Sequence, residues 1–284
     1  MKKIDKMHTF IGMDHSYEEA GVVLVGVPFD GTTSYRPGTR FAPNQIRMDS
    51  YGLETYSPYL GKDLEDVALN DIGDISIPFG NTVKALETIK ETVTAIVKDD
   101  KKPFVIGGEH LISLPVVETL VKKHPDLHIL HFDAHTDLRE HYLGEKLSHA
   151  TVMRRVHDLV GDGRIFQFGI RSGTKEEFIW AKEHTYLRPF DLDTLEQKIP
   201  FLVKKPIYLS IDLDVLDPSI FSGTGTPEPG GITMKELLNA FILMQKLSFA
   251  GADVVELSPH YDPSGVSTAV ACKVIREVAL LLCE

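Results

Sequence analysis

Six short apolar runs constrain this chain more than any other feature: VVLVGV (22–27), FVIGG (104–108), HILHFDA (128–134), IFQFGI (165–170), IYLSID (207–212) and ADVVEL (252–257). They are continuous rather than alternating, the pattern of strands covered on both faces. Helical patterns separate them: TVKALETIKETVTAIVKD ending near Asp99, LISLPVVETLVKKH, SHATVMRRVHDLV, TKEEFIWAKEH, TMKELLNAFILMQKL and finally VSTAVACKVIREVALLLC. Thr233 and Glu236 make a capping-box pattern at one helix start. Strand and helix in this alternation predict a parallel sheet with helices on both sides, in one doubly wound α/β domain. With 284 residues and 43% hydrophobic content, the chain can bury a core of that size.

Other classes are excluded by what the sequence lacks. No stretch is biased enough to read as a linker or tail, and no repeat period is present. The basic start, MKKIDKMHTFIGMDHSYEEAG, has no apolar run of signal-peptide length, and no later segment approaches 18 uninterrupted apolar residues. A soluble, cytoplasmic protein is expected. Cys272 and Cys283 form no disulfide framework or zinc spacing, which suits a reducing compartment. The net charge of −11 speaks against nucleic acid and mildly for a cationic ligand.

In open parallel sheets, ligands bind beyond the carboxyl ends of the strands. Polar residues gather at those ends: His110 closing GGEH, then Asp133, His135 and Asp137 in HFDAHTD, Asp212 and Asp214 in IDLD, and Glu256 after ADVV. On an extended segment, residues two apart share a face, so Asp133, His135 and Asp137 are expected to converge, as are Asp212 and Asp214. So many carboxylates cannot be buried together without cations. Two divalent metals with bridging aspartates resolve the conflict. Oxygen-rich ligands with two imidazoles and no thiolate favour Mn²⁺, with zinc, cobalt, nickel or iron as alternatives. Such a pair, about 3.5–4 Å apart, lowers the pKa of a bridging water towards about 7 and so implies hydrolysis.

The motifs GGEH (107–110), FDAHTD (132–137), SHATVMRR (148–155), SIDLDVLDPS (210–219), TGTPEPGG (224–231) and DVVELSP (253–259), with GVPFDGTTSYRPGTRFAPNQIR (26–47), resemble the ureohydrolases, the arginase and agmatinase family. The resemblance covers nearly the whole chain. It implies an arginase-like three-layer αβα fold with a mostly parallel central sheet, one domain over 1–284, and two manganese ions. It further implies hydrolysis of a guanidino group to urea and an amine, and assembly as homotrimers or hexamers. By motif, His110, Asp133, His135, Asp137, Asp212 and Asp214 correspond to the metal ligands. His149 corresponds to the proton-shuttling histidine, Glu256 to the acid that holds the guanidinium, and Thr226 to a threonine lining the site. Asp137 and His149 are then the proton carriers, and a histidine near its ordinary pKa of about 6.5 suits that task. A guanidinium also matches a carboxylate in a fork-like hydrogen-bond pair.

Substrate choice rests on finer detail. Where arginases carry an asparagine, this chain has Arg139, and LREHYLGEKLSHATVMRR and TGTPEPGG look instead like bacterial agmatinases. The resemblance therefore implies agmatine as substrate, putrescine and urea as products, and a place in polyamine biosynthesis. Aminopropylagmatine, guanidinobutyrate, formimidoylglutamate, guanidine and arginine are the alternatives. Glu140, Glu145 and Glu228 are candidates for negative potential around the ammonium tail. A non-catalytic relative and a binuclear phosphohydrolase are the competing classes. The first is opposed by retention of the full ligand set, the second by the anionic surroundings of Glu256. His131 reads as a buried partner rather than a ligand, and His124, His128, His141, His157, His184 and His260 as non-ligands. RPGTRFAPNQIR reads as a structural loop before a helix rather than an anion site, and GTGTPEPGG lacks the ending of a phosphate loop.

Overall fold

The computed structural model describes residues 8–283 and the backbone of Ile4–Asp5; the basic opening residues 1–3 lie outside the described residues. In chain order the strands are β1 (Ile4–Asp5), β2 (Val22–Gly26), β3 (Tyr56–Ser57), β4 (Lys62–Asp63), β5 (Leu69–Ile75), β6 (Lys102–Ile106), β7 (His128–Phe132), β8 (Ile165–Ile170), β9 (Tyr186–Pro189), β10 (Pro206–Asp212) and β11 (Ser248–Val255). The helices are α1 (Ala42–Ser50), α2 (Thr82–Lys98), α3 (Ser113–Lys123), α4 (Val152–Val160), α5 (Lys175–His184), α6 (Leu195–Leu202), α7 (Met234–Met244) and α8 (Val266–Leu282).

Nine strands, among the described residues, form one sheet in the order β1-β5-β2-β6-β11-β10-β7-β8-β9. Every pairing is parallel except that of the edge strand β1 with β5. The continuous apolar runs are explained by two cores. Val22 and Leu24 face one core with α1, α6, α7 and α8, whereas Val23 and Val25 face the other with α2, α3, α4 and α5. Alternation persists, but both faces are dry, so both sets are apolar. The expected three-layer, mostly parallel architecture is therefore present.

The elements missing from the sequence reading have local causes. β5, LNDIGDI, breaks its apolar run with Asp71 and Asp74, because the buried Arg47 of α1 is held there. Its Nε lies 2.7 Å from Asp71, and Nη1 also reaches Asp74. Burying one of these charges alone would be costly, and the set is retained as a whole. β9 is a half-buried edge strand, and α6 carries Pro200 in its interior. Thr233 and Glu236 cap α7 reciprocally as their spacing predicts. Among the described residues, no helix is long and apolar enough to cross a membrane.

Topology places the chemistry. β6, β11, β10 and β7 are adjacent in the middle of the sheet, and from their carboxyl ends come His110, Glu256, the 212–214 pair and the 133–137 segment. The chain leaves β6 through Gly107 and Gly108, both left-handed with φ of 73° and 78°. A Cβ on Gly108 would sit 2.5 Å from the carbonyl oxygen of Val27 and 2.9 Å from that of Phe29. Those are backbone atoms, so the clash cannot relax by a side-chain rotation. Gly108→Ala is expected to destabilise the protein by roughly 2–4 kcal/mol and to displace His110 two residues on. Thermal melting and metal content are the readouts. An unchanged melting temperature with full metal loading would contradict this account of the turn.

Candidate metal centre

All six sequence-predicted ligands meet at the centre of the sheet, though not by strand alternation. β7 ends at Phe132, one residue before Asp133, and Asp137 takes a left-handed φ of 53°. The 133–137 segment is thus a shaped loop. One neighbour braces it. The Glu177 carboxylate accepts from the Thr136 hydroxyl at 2.6 Å and the Leu138 N–H at 3.0 Å while also capping α5 through Thr174 N–H. Asp212 likewise closes a turn by accepting from the Asp214 N–H at 2.9 Å, which turns both carboxylates to the same side.

The ligand atoms fall into two clusters that share Asp133. His110 Nδ1 lies 3.1 Å from Asp133 Oδ2, 3.3 Å from Asp137 Oδ2 and 3.4 Å from Asp212 Oδ2. His135 Nδ1 lies 3.5 Å from the other oxygen of Asp133 and 3.1 Å from Asp214 Oδ2. His110 Nδ1 is buried and makes no hydrogen bond of acceptable geometry to any of its three carboxylate neighbours. An orphaned nitrogen facing three oxygens is rare in a protein interior, whereas it is the normal state of a metal ligand. The set fits divalent cations of the harder kind: carboxylates and imidazoles, no thiolate.

Electrostatics point the same way. Burial, and next the charge of Asp133, push the Asp137 carboxyl up to about 6. Burial, then Asp214 and Asp133, raise Asp212 well above the carboxylate range. Burial opposes charge on His110 and His135, yet the surrounding carboxylates raise both well above the usual imidazole value. Protons thus compete for the places a cation would neutralise. Asp137 carries a proton below about pH 6, and a protonated carboxyl is a weaker ligand than a carboxylate. Affinity for a divalent cation is therefore expected to fall, with proton release on binding, between pH 7.5 and pH 5. Titration calorimetry at the two pH values checks this, and equal affinity at both would contradict it.

Two of the candidate ligands, His110 and Asp133, are oriented from behind. His110 Nε2 is 2.8 Å from Ser210 Oγ, which donates to Asp253 at 2.8 Å. His131 is fully buried as expected, 2.9 Å from Asp133 Oδ2 and 3.1 Å from the Gln167 amide.

Over the clusters opens a cavity of about 240 Å³ lined by His135, Asp137, Arg139, Tyr142, His149 and Thr226 together with Ser34 and Glu177. Thr226 donates to Asp214 at 3.3 Å. His149 lies 3.0 Å from the Ser34 hydroxyl through Nε2, and its N–H donates to Thr32 Oγ1 at 3.0 Å. Burial, then the neighbouring His135 and His110, push its pKa down to about 4, so it is neutral at pH 7 rather than poised near 6.5. Glu256 does not line the cavity. It is 4% exposed, has a left-handed φ of 67°, and accepts from the His110 N–H at 2.9 Å. Strain of that kind in a non-glycine residue is characteristic of functional sites.

Sequence reading missed Glu109. It is fully buried and accepts from Thr32 N–H at 2.8 Å and the Thr33 hydroxyl at 3.1 Å, and burial pushes its pKa up to about 7. Through Thr32 it supports the loop that holds His149. The signal was an acid inside GGEH facing the hydroxyls of GTTS, two motifs far apart in the chain. The acids considered for the ammonium tail are not at the cavity: Glu140 pairs with Arg154 at 2.9 Å and Arg155 at 3.3 Å, and neither Glu145 nor Glu228 lines it.

The arginase family model matches residues 20–281. This chain belongs to the arginase family. It is accordingly an amidinohydrolase-type enzyme, in a family that depends on a pair of divalent metal ions. It is 50% identical over 275 residues to agmatinases of Bacillus cereus and Bacillus subtilis, covering 95% of this chain and 95% of each relative. The crystal structure of a candidate agmatinase from Clostridium difficile superposes with a TM-score of 0.92 at 53% identity, over 94% of this chain and 98% of that one.

Proposed function

We propose that the chain hydrolyses agmatine to putrescine and urea, with two Mn²⁺ ions held by His110, Asp133, Asp137, Asp212, His135 and Asp214. The observation that carries this reading is the pair of donor clusters sharing Asp133, with the carboxylate of Glu256 beside them. Similarity to the Bacillus agmatinases supports the choice of substrate.

A bound metal pair supplies a water acidic enough to attack at neutral pH. The chain's residues do the rest. Glu256 lies behind the present cavity lining, so the guanidinium must displace part of that lining to donate its N–H groups to the carboxylate, which then fixes the guanidino carbon over the clusters. Its negative charge is what a cationic group finds there, since four aspartates formally cancel two dications. Asp137 takes a proton from the attacking water. His149, neutral at pH 7, is a proton acceptor that relays to the leaving amine while Ser34 holds its Nε2 in place. Thr226 keeps the Asp214 carboxylate oriented.

One observation favours a second reading. Arg139 lines the cavity, with its Nε 3.6 Å from Glu177 and its guanidinium 4.7 Å from the centre of the Tyr142 ring. A free arginine there would welcome a carboxylate-ended substrate such as guanidinobutyrate. Pairing with Glu177 blunts that charge, so agmatine is preferred. Urea release by manganese-loaded protein, given agmatine, guanidinobutyrate, arginine and aminopropylagmatine in parallel, separates the readings. Agmatine is expected to be turned over fastest. Preference for guanidinobutyrate would transfer the tail's recognition to Arg139, and no urea from any of them would overturn the proposal.

The reading extends to a single ureohydrolase-like domain over 1–284, a cytoplasmic setting, and assembly as a homotrimer or hexamer. Sedimentation at one chain mass would contradict the assembly.

A further inference from the structure

Away from the candidate centre, three side chains from separate elements aim ligand atoms at one point. His157 Nε2, on the last turn of α4, lies 2.8 Å from Asp162 Oδ1. His184 Nδ1, at the end of α5, lies 2.7 Å from the same oxygen. Asp162 sits between Gly161 and Gly163 in the turn after α4. The three atoms lie within 4.8 Å of one another. No sequence spacing announces this group, because its members are brought together by the return of α5 to the end of α4.

The rings are held before any ligand arrives. Trp180 stacks on His184 with centroids 4.2 Å apart at 22°, and meets His157 edge-on at 4.6 Å and 83°. Arg154 lies 4.1 Å over the Trp180 ring. Aromatic contacts of this geometry fix ring orientation. Asp162 is two-thirds exposed, so one side of the group is open to water and the carboxylate can shift as a cation enters.

We propose that His157, Asp162 and His184 form a peripheral site for a transition-metal cation of the zinc, nickel or copper kind. Two imidazoles and one carboxylate match those ions better than magnesium, calcium or manganese, and water completes the coordination at the open side. The site is separate from the proposed manganese centre, since it shares no residue with it.

The chain carries its own reporter, because Trp180 is its only tryptophan. Cu²⁺ titrated into the manganese-loaded protein is expected to quench Trp180 fluorescence saturably at one ion per chain. Asp162→Ala, at an exposed turn, and His184→Gln are each expected to weaken that quenching by about tenfold or more, since even partners that merely orient a metal ligand are worth that much. Both variants keep the manganese centre intact, so copper reaching that centre would quench wild type and variants alike. Equal titration curves in all three proteins, or no saturable quenching in wild type, would overturn the proposal.

Discussion

Glu256→Gln is expected to leave both metal ions in place and to cut kcat/KM for agmatine by roughly 30- to 5,000-fold, the equivalent of about 2–5 kcal/mol for removing one partner of a buried charge pair. Glutamine keeps the shape and still accepts from the His110 N–H, so the turn that positions His110 survives. What is lost is the charge. Burial and then the neighbouring Glu109 already hold the Glu256 carboxyl well above the ordinary range. A guanidinium arriving beside it reverses that pressure, and the interaction forms away from bulk water, where it is strongest. Metal analysis and steady-state kinetics with agmatine give the two readouts. Wild-type turnover in the variant would show that the substrate's cation is held elsewhere.

Asp133→Asn acts on the other side of the reaction. Asp133 contributes to both clusters, and it also accepts from the His135 N–H at 2.5 Å. An asparagine offers one oxygen where two are used, and places an N–H₂ against an imidazole. Breaking a buried charge out of its set costs about 3–5 kcal/mol, or roughly 150- to 5,000-fold in metal affinity. Metal content is therefore expected to fall well below two ions per chain, with turnover falling alongside it. Full occupancy of both positions in the variant would contradict the shared-ligand geometry.

The part of the site legible in the sequence was the part built from strand ends. Each ligand lies at or within five residues of the end of an apolar strand, so its place on the rim follows from the parallel sheet. The reason for convergence was not legible. Alternation predicted that Asp133, His135 and Asp137 share a strand face, but they lie beyond the strand, in a loop whose shape depends on Glu177 and on a left-handed Asp137. Glu177 is 40 positions from Asp137 in the chain, and only folding brings the α5 cap against that loop. The Glu109–Thr32–His149 support was hidden in the same way. β5 was missed because pattern reading takes acids as evidence against a buried strand, whereas Asp71 and Asp74 are there to hold Arg47. Residues that serve a distant partner break the local pattern, and they are the ones sequence reasoning loses.

The most direct measurement of the central claim is anomalous diffraction from crystals of the manganese-loaded protein. Two peaks about 3.5–4 Å apart, with the Asp133 carboxylate between them and His110 and His135 on opposite ends, are the predicted result. A single peak, or two peaks that Asp133 does not touch, would contradict the account.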